Sequence, residues 1–288
     1  MSVVNTNVSA SVAQAALARN ERALGAAMEK LSTGKKINSA GDNAAGLAIS
    51  TQMTSQIRGL GAAVSNANDA ISMVNTADGA LDEITTMLQR MRELAVQAGT
   101  GTTAATDRTY LQSEFTALRT EIDRIADNTQ WNGRNILDGS AGASTGLSTV
   151  AFGIGQDGTA AQTLSTSFGN FNNTTGKLSG LASKVITGTT IASAITVAAA
   201  TVAEIDVVIG DVSAQRATFG AISNRLTHAV DNLTNVRTNS EASRSRILDT
   251  DYAAATSELA RTQIIQQAGT AMLAQANQLP QTVLALLQ

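Results

Sequence analysis

The chain has 288 residues, 43% of them hydrophobic but only 3% aromatic, with one Pro and no Cys. It carries 20 basic and 23 acidic residues, a net charge of −3. The missing cysteines exclude disulfides, thiolate metal sites and a cysteine nucleophile, and the absence of a basic run argues against nucleic-acid or anionic-membrane binding through a charged patch.

The first residues, "MSVVNTNVSASVAQAALARN", hold no positive charge before Arg19, so a cleaved secretory signal is not expected. Leu17, Leu24 and Leu31, with Met28 alongside, recur at helical spacing and predict a helix from about Ser9 to Thr33. "STGKKINSAGDN" breaks it, and Asp42 or Asn43 is placed to cap the next helix. From Ile49 through Met53, Ile57, Leu60, Val64, Ala67, Ile71, Val74, Leu81, Leu88 and Met91 to Ala95, one apolar face continues for some fifty residues, interrupted only by Asp78. At about 1.5 Å per residue this helix reaches roughly 80 Å and requires partners along its length.

"GTGTTAATD" turns the chain, and Leu111, Phe115, Leu118, Ile122 and Ile125 predict a shorter helix. "NTQWNGRNILDG" carries two hairpin dipeptides, Asn132-Gly133 and Asp138-Gly139. Residues 140–188 are rich in Gly, Ser, Thr and Asn and read as small β-hairpins and loops. "GIGQDG" within them lacks the Lys-Ser/Thr of a phosphate loop. From about residue 190 a second long helix carries Ile205, Val208, Val212, Phe219, Ile222, Leu226, Val230, Leu233 and Val236 on one face. Its start, "IASAITVAAATVAEIDVVI", includes Glu204 and Asp206, which argues against a membrane span.

"NSEASRSRILDTD" ends that helix, and Asp249 and Asp251 are placed to cap the last one. There Ile265, Met272, Leu279, Val283 and Leu286, with Ala268 and Ala276, form an apolar stripe containing Pro280, which removes a helical hydrogen bond. Five large side chains cannot by burial alone offset the entropy of ordering the helix that carries them. The terminal helices are therefore expected to bury each other's stripes and still leave an outer face for further copies of the chain. His228, the one histidine, is expected on a polar face without a second ligand or base, and Trp131 as a packing anchor. No convergent polar site suggests an enzyme, a metal centre or a cofactor.

The layout is close to mirror-symmetric, and the fold class it predicts is mainly α: a long antiparallel helical bundle or coiled coil formed by N- and C-terminal arms, with a small central β-hairpin region. The expected parts are terminal helices in 1–42 plus 247–288, a long-helix bundle in 43–139 plus 190–246, and a surface hairpin region in 140–189.

"NSAGDNAAGLAISTQM", "LQRMRELAVQAGTGT", "EFTALRTEIDRIADNTQWNGRNILDG" and "LARTQIIQQAGTAMLAQANQLPQTVLALLQ" resemble bacterial flagellin, in order, over about residues 1–140 and 190–288. The resemblance implies a secreted, extracellular filament subunit that polymerises with itself. Leu17, Leu24, Met28, Leu31, Ile265, Met272, Leu279, Val283 and Leu286 would then serve inner-core assembly. It also implies partners: the flagellar type III export apparatus, an export chaperone, the filament cap and hook-associated proteins. Only about fifty residues stand where many relatives carry large outer domains, so a short form is implied. Gln89, Arg90, Glu93, Leu94, Gln97 and Glu114 match the stretch that in relatives is recognised by Toll-like receptor 5, with Leu94 as apolar anchor; the same face is expected to pack on a neighbouring subunit. A hook-associated junction or related helical secretion component is the alternative reading of the arms.

Overall fold

The computed structural model describes residues 7–139, 149–155, 162–172, 176–188 and 190–285, and the side chains within that set up to Gln278. The elements in order are α1 (Val8–Thr33), α2 (Ala44–Ala98), α3 (Ala105–Asn128), β1 (Gln130–Trp131), β2 (Arg134–Asn135), β3 (Thr149–Gly153), β4 (Thr163–Ser167), a 3₁₀ turn (Ser179–Leu181), α4 (Ile191–Leu248) and α5 (Tyr252–Ala285). The mainly α class is as predicted. The residues group into two compact units, one of Gln56–Arg237 and one formed by the described residues up to Ser55 and from Thr238 onward.

In the Gln56–Arg237 unit, α2 and α4 run antiparallel. Arg92 Nε donates to Asp206 at 2.7 Å, and Arg216 Nε donates to Asp78 at 2.8 Å further along. Arg216 also reaches Asp82 at 2.8 Å, so the acid that interrupts the apolar face of α2 sits at its edge and is paired there. Leu81, Ile84, Leu88, Met91 and Leu94 of α2 pack with Phe115 and Ile122 of α3 and with Ile205, Val208, Val212, Phe219, Ile222 and Leu226 of α4. The apolar start of α4 satisfies the length and composition of a membrane span. Within the unit, however, Ala194, Ala198, Thr201 and Ile205 are buried, and Glu204 and Asp206 pair with Lys184 and Arg92.

The central segment does more than decorate the surface. β3 and β4 form an antiparallel hairpin in which Phe152 lies opposite Leu164; both are buried, while Thr149, Ala151, Thr163, Ser165 and Ser167 face outward. Phe168 stacks obliquely on Phe219 at 5.1 Å between ring centroids, and Phe171, Leu178, Leu181 and Ile186 are buried beside it. Gln215 Nε2 donates to the Ser167 carbonyl at 2.8 Å. A region expected at the surface thus carries three of the chain's five phenylalanines into the core. Residues 140–148 and the second half of "GIGQDG" lie outside the described residues. The β1–β2 hairpin turns at Asn132 (φ 51°) and Gly133 (φ 75°), the left-handed pair that an Asn-Gly turn requires.

The other unit contains α1 and α5, paired antiparallel, with their backbones within 8 Å of one another. An elbow sits where both chain breaks meet. Lys36 N–H donates to the Leu248 carbonyl at 2.8 Å and Thr250 N–H to the Gly34 carbonyl at 2.9 Å. Gly34 ends α1 in the left-handed region (φ 69°), with its N–H on the Lys30 carbonyl. Of the two expected caps for α2, Asn43 acts, accepting from Gly46 N–H at 2.8 Å; Asp42 instead holds the loop, accepting from the N–H groups of Asn38 and Ser39. Those backbone donors, Ser39 first, lower the Asp42 pKa below its ordinary value. Asp251 caps α5 through Ala253 and Ala254, whereas Asp249 accepts from Ser245 Oγ at the end of α4 and so does not cap the last helix. Pro280 is accommodated within α5.

Candidate assembly interface

The terminal helices meet through the periodic leucines of α1, but on α5 not through Ile265 and Met272. On α5 the less exposed positions step by fours and threes through Ala255, Leu259, Thr262, Gln266, Gly269, Leu273 and Ala276. On α1 Leu17, Asn20, Leu24, Ala27 and Leu31 occupy the facing side. A Cβ on Gly269 would lie 3.0 Å from Leu17 Cδ1. These are small or polar groups for the most part, which is why the two backbones approach so closely.

Five leucines share that seam, but six other large apolar groups of the two helices are exposed. Ile264 is 66% exposed, Ile265 42% and Met272 65% on α5; Val8 is 59%, Val12 63% and Met28 52% on α1. The nine residues expected to serve assembly therefore divide. Leu17, Leu24 and Leu31 lie in the seam within the chain, and Met28, Ile265 and Met272 face outward. The side chains of Leu279 and Val283, and the whole of Leu286, lie outside the described residues. Sequence reading missed Asn20, Thr262 and Gln266, a buried polar node; the heptad from Ala255 to Ala276 was the available signal, faint because its members are mostly small.

On α2 and α3, Arg90 donates from Nε to Glu114 Oε1 at 2.9 Å and from Nη1 to Glu93 Oε2 at 3.0 Å. These bonds, Glu114 first, raise the Arg90 pKa above its ordinary value. Gln89 and Gln97 are exposed beside them. Leu94 is 1% exposed and belongs to the bundle core, so it cannot be the surface anchor expected of it; the exposed apolar neighbour is Val96. His228 is exposed, and Trp131 is partly buried against the core. Among the described residues no group of three or more His, Cys, Asp or Glu is placed to hold a metal ion.

Long antiparallel helices, an elbow tying both chain breaks, and paired arms with outward apolar groups define a structural subunit of the helical-arm class. Residues 4–142 match the bacterial flagellin N-terminal helical region and residues 202–287 the C-terminal helical region. The chain is 42% identical over 290 residues to flagellin of Halalkalibacterium halodurans, covering 99% of this chain and 100% of that one. It is 36% identical over 375 residues to Flagellin A of Vibrio cholerae, covering 99% of each. The second alignment is longer than this chain, so the relative carries residues that this short form lacks. A putative flagellar hook-associated protein from Vibrio parahaemolyticus shares the fold, with a TM-score of 0.59 over 72% of this chain and 100% of that one, at 14% identity.

The chain belongs to the bacterial flagellin family. It is a structural subunit of the flagellar filament, an extracellular polymer of such chains.

Proposed function

We propose that the outward faces of α1 and α5 are where copies of this flagellin contact one another, with the paired arms forming the filament's inner core and the α2–α4 bundle the surrounding tube. The observation that carries this reading is the exposure of Ile264, Ile265, Met272, Val8 and Val12 although the two helices are already paired through another face. Apolar groups left in water on an already paired rod gain by burial against another copy. Contact through two different patches propagates as a helix instead of closing as a dimer.

The chain acts as a building block without a catalytic role. It leaves the cell through the flagellar export apparatus, accompanied by an export chaperone, and adds beneath the filament cap, with hook-associated proteins at its junctions. Met272→Asp places a charge on the outward face without touching the seam. Sedimentation and electron microscopy of salt-induced polymers should show the loss of tubular filaments with the monomer's helicity retained. Filaments at the wild-type level would remove the arms' outward face from assembly.

We infer a second role for the α2–α3 face. Arg90, held as an exposed planar fork by Glu114 and Glu93, suits recognition by Toll-like receptor 5 in the monomer and packing on a neighbouring copy in the filament. Arg90→Ala should lower receptor signalling by purified monomer in a reporter assay; inactivity of the wild type would end this reading.

A further inference from the structure

The polar node in the arm seam is not explained by the outward face. Asn20 is 8% exposed, and its Nδ2 donates to the Thr262 carbonyl at 2.8 Å and to Gln266 Oε1 at 3.0 Å. Gln266 in turn donates Nε2 to Glu21 at 3.2 Å. A buried amide in a two-helix seam lowers stability relative to a well-packed apolar residue. What such a residue supplies in coiled coils is register.

The rest of this seam is permissive. Ala255, Leu259, Gly269, Leu273 and Ala276 recur at heptad spacing, so sliding one helix by seven residues, about 10.5 Å, again sets small and apolar groups face to face. Asn20 breaks that degeneracy. One heptad in one direction sets it against Gly269 and Leu273; one in the other sets it against Ala255 and Leu259. Neither position offers a side-chain partner, and the buried amide is left unpaired. Further ties sit toward the ends of the pair, at Gly34–Thr250 in the elbow and at Asn7 Nδ2 on the Ala276 carbonyl, 2.8 Å.

We propose that Asn20 is the register lock of the arms and, through register, a specificity determinant for assembly with a second copy. The link is geometric and rests on the reading of the outward face as the contact between copies. The exposed apolar groups come from both helices: Val8, Val12 and Met28 from α1, and Ile264, Ile265 and Met272 from α5. A heptad slip carries one set two turns past the other, so a neighbour that touches both helices no longer finds the two sets in their native relation.

The 288 residues include no cysteine, so introduced pairs report register cleanly. Leu17→Cys with Gly269→Cys marks the native register, and Leu24→Cys with Gly269→Cys marks a heptad slip. In the wild-type background only the first pair should cross-link. With Asn20→Leu both should cross-link, the arms should melt no earlier than wild type, and the sedimentable polymer should fall severalfold. A gain or retention of arm stability alongside a loss of assembly is not what a merely structural contact gives. Cross-linking of the native pair alone in Asn20→Leu, or slipped cross-links with normal filaments, overturns the proposal. Met272→Asp in the Asn20 background tests the outward face by itself, so a failure of that reading is distinguishable.

Discussion

Arg216 on α4 donates from Nε to Asp78 on α2 at 2.8 Å and from Nη1 to Asp82, one turn further on, also at 2.8 Å. One guanidinium thus spans two carboxylates on the partner helix. Arg216 and Asp78 are 34% and 41% exposed, so solvent screens the pair. Asp78→Ala should cost no more than about 1 kcal/mol, the range of exposed ion pairs, and the cost should shrink in high salt. Urea titrations at two ionic strengths measure it; a large, salt-independent loss would mean that Asp78 acts through packing instead.

The oblique stack of Phe168 on Phe219 makes the central segment part of the bundle's core. Phe168→Ala should therefore destabilise the bundle by about 3–5 kcal/mol, as a core truncation does. Chemical denaturation followed by helical circular dichroism reads this directly. A change under about 1 kcal/mol, typical of a surface loop, would contradict the packing described.

Gly34 and Gly25 should respond oppositely to alanine. Gly34 has φ 69°, and a Cβ there would meet Tyr252 Oη at 3.0 Å, so Gly34→Ala should destabilise the elbow by about 1 kcal/mol or more. Gly25 lies inside α1 with nothing within 4 Å of a Cβ, so Gly25→Ala should stabilise the helix by about 0.5–1 kcal/mol. Thermal melts of the two variants decide it, and equal effects of the same sign would refute the assignment.

Asp42 gives the elbow an acid limit. Its folded pKa is lowered by the N–H groups of Ser39 and Asn38, so its contribution is present above the unfolded value and lost as pH falls through the lower folded value. The amide shifts of Asn38 and Ser39, followed by NMR, should titrate below the usual aspartate range, and Asp42→Ala should abolish the transition. A midpoint at or above the usual aspartate range would contradict the cap.

Much was legible from residue order alone. The face through Leu60, Ala67, Val74, Leu81, Leu88 and Met91 is buried as its spacing implied, because large side chains at helical period leave a strong signal and a helix of 55 residues has to bury them. The Asn132-Gly133 turn followed from backbone sterics, which are local. The Gly- and Ser-rich composition around residues 149–188 concealed a core contribution, since single aromatics spaced along irregular chain have no period to detect.

What residue order determined about this flagellin is which helices exist, where they break and that an apolar stripe runs along its last one. Which face of α5 closes against the leucines of α1 was decided only in three dimensions. Ile265 and Met272 mark a stripe by their size, yet two helices approach most closely where side chains are small, so Ala255, Gly269 and Ala276, with Leu259 and Leu273 between them, took the seam and Ile265 and Met272 were left exposed. The same holds for Leu94, polar in its surroundings along the chain but buried in a core shared with residues of α3, α4 and the central segment, which come from elsewhere in the sequence.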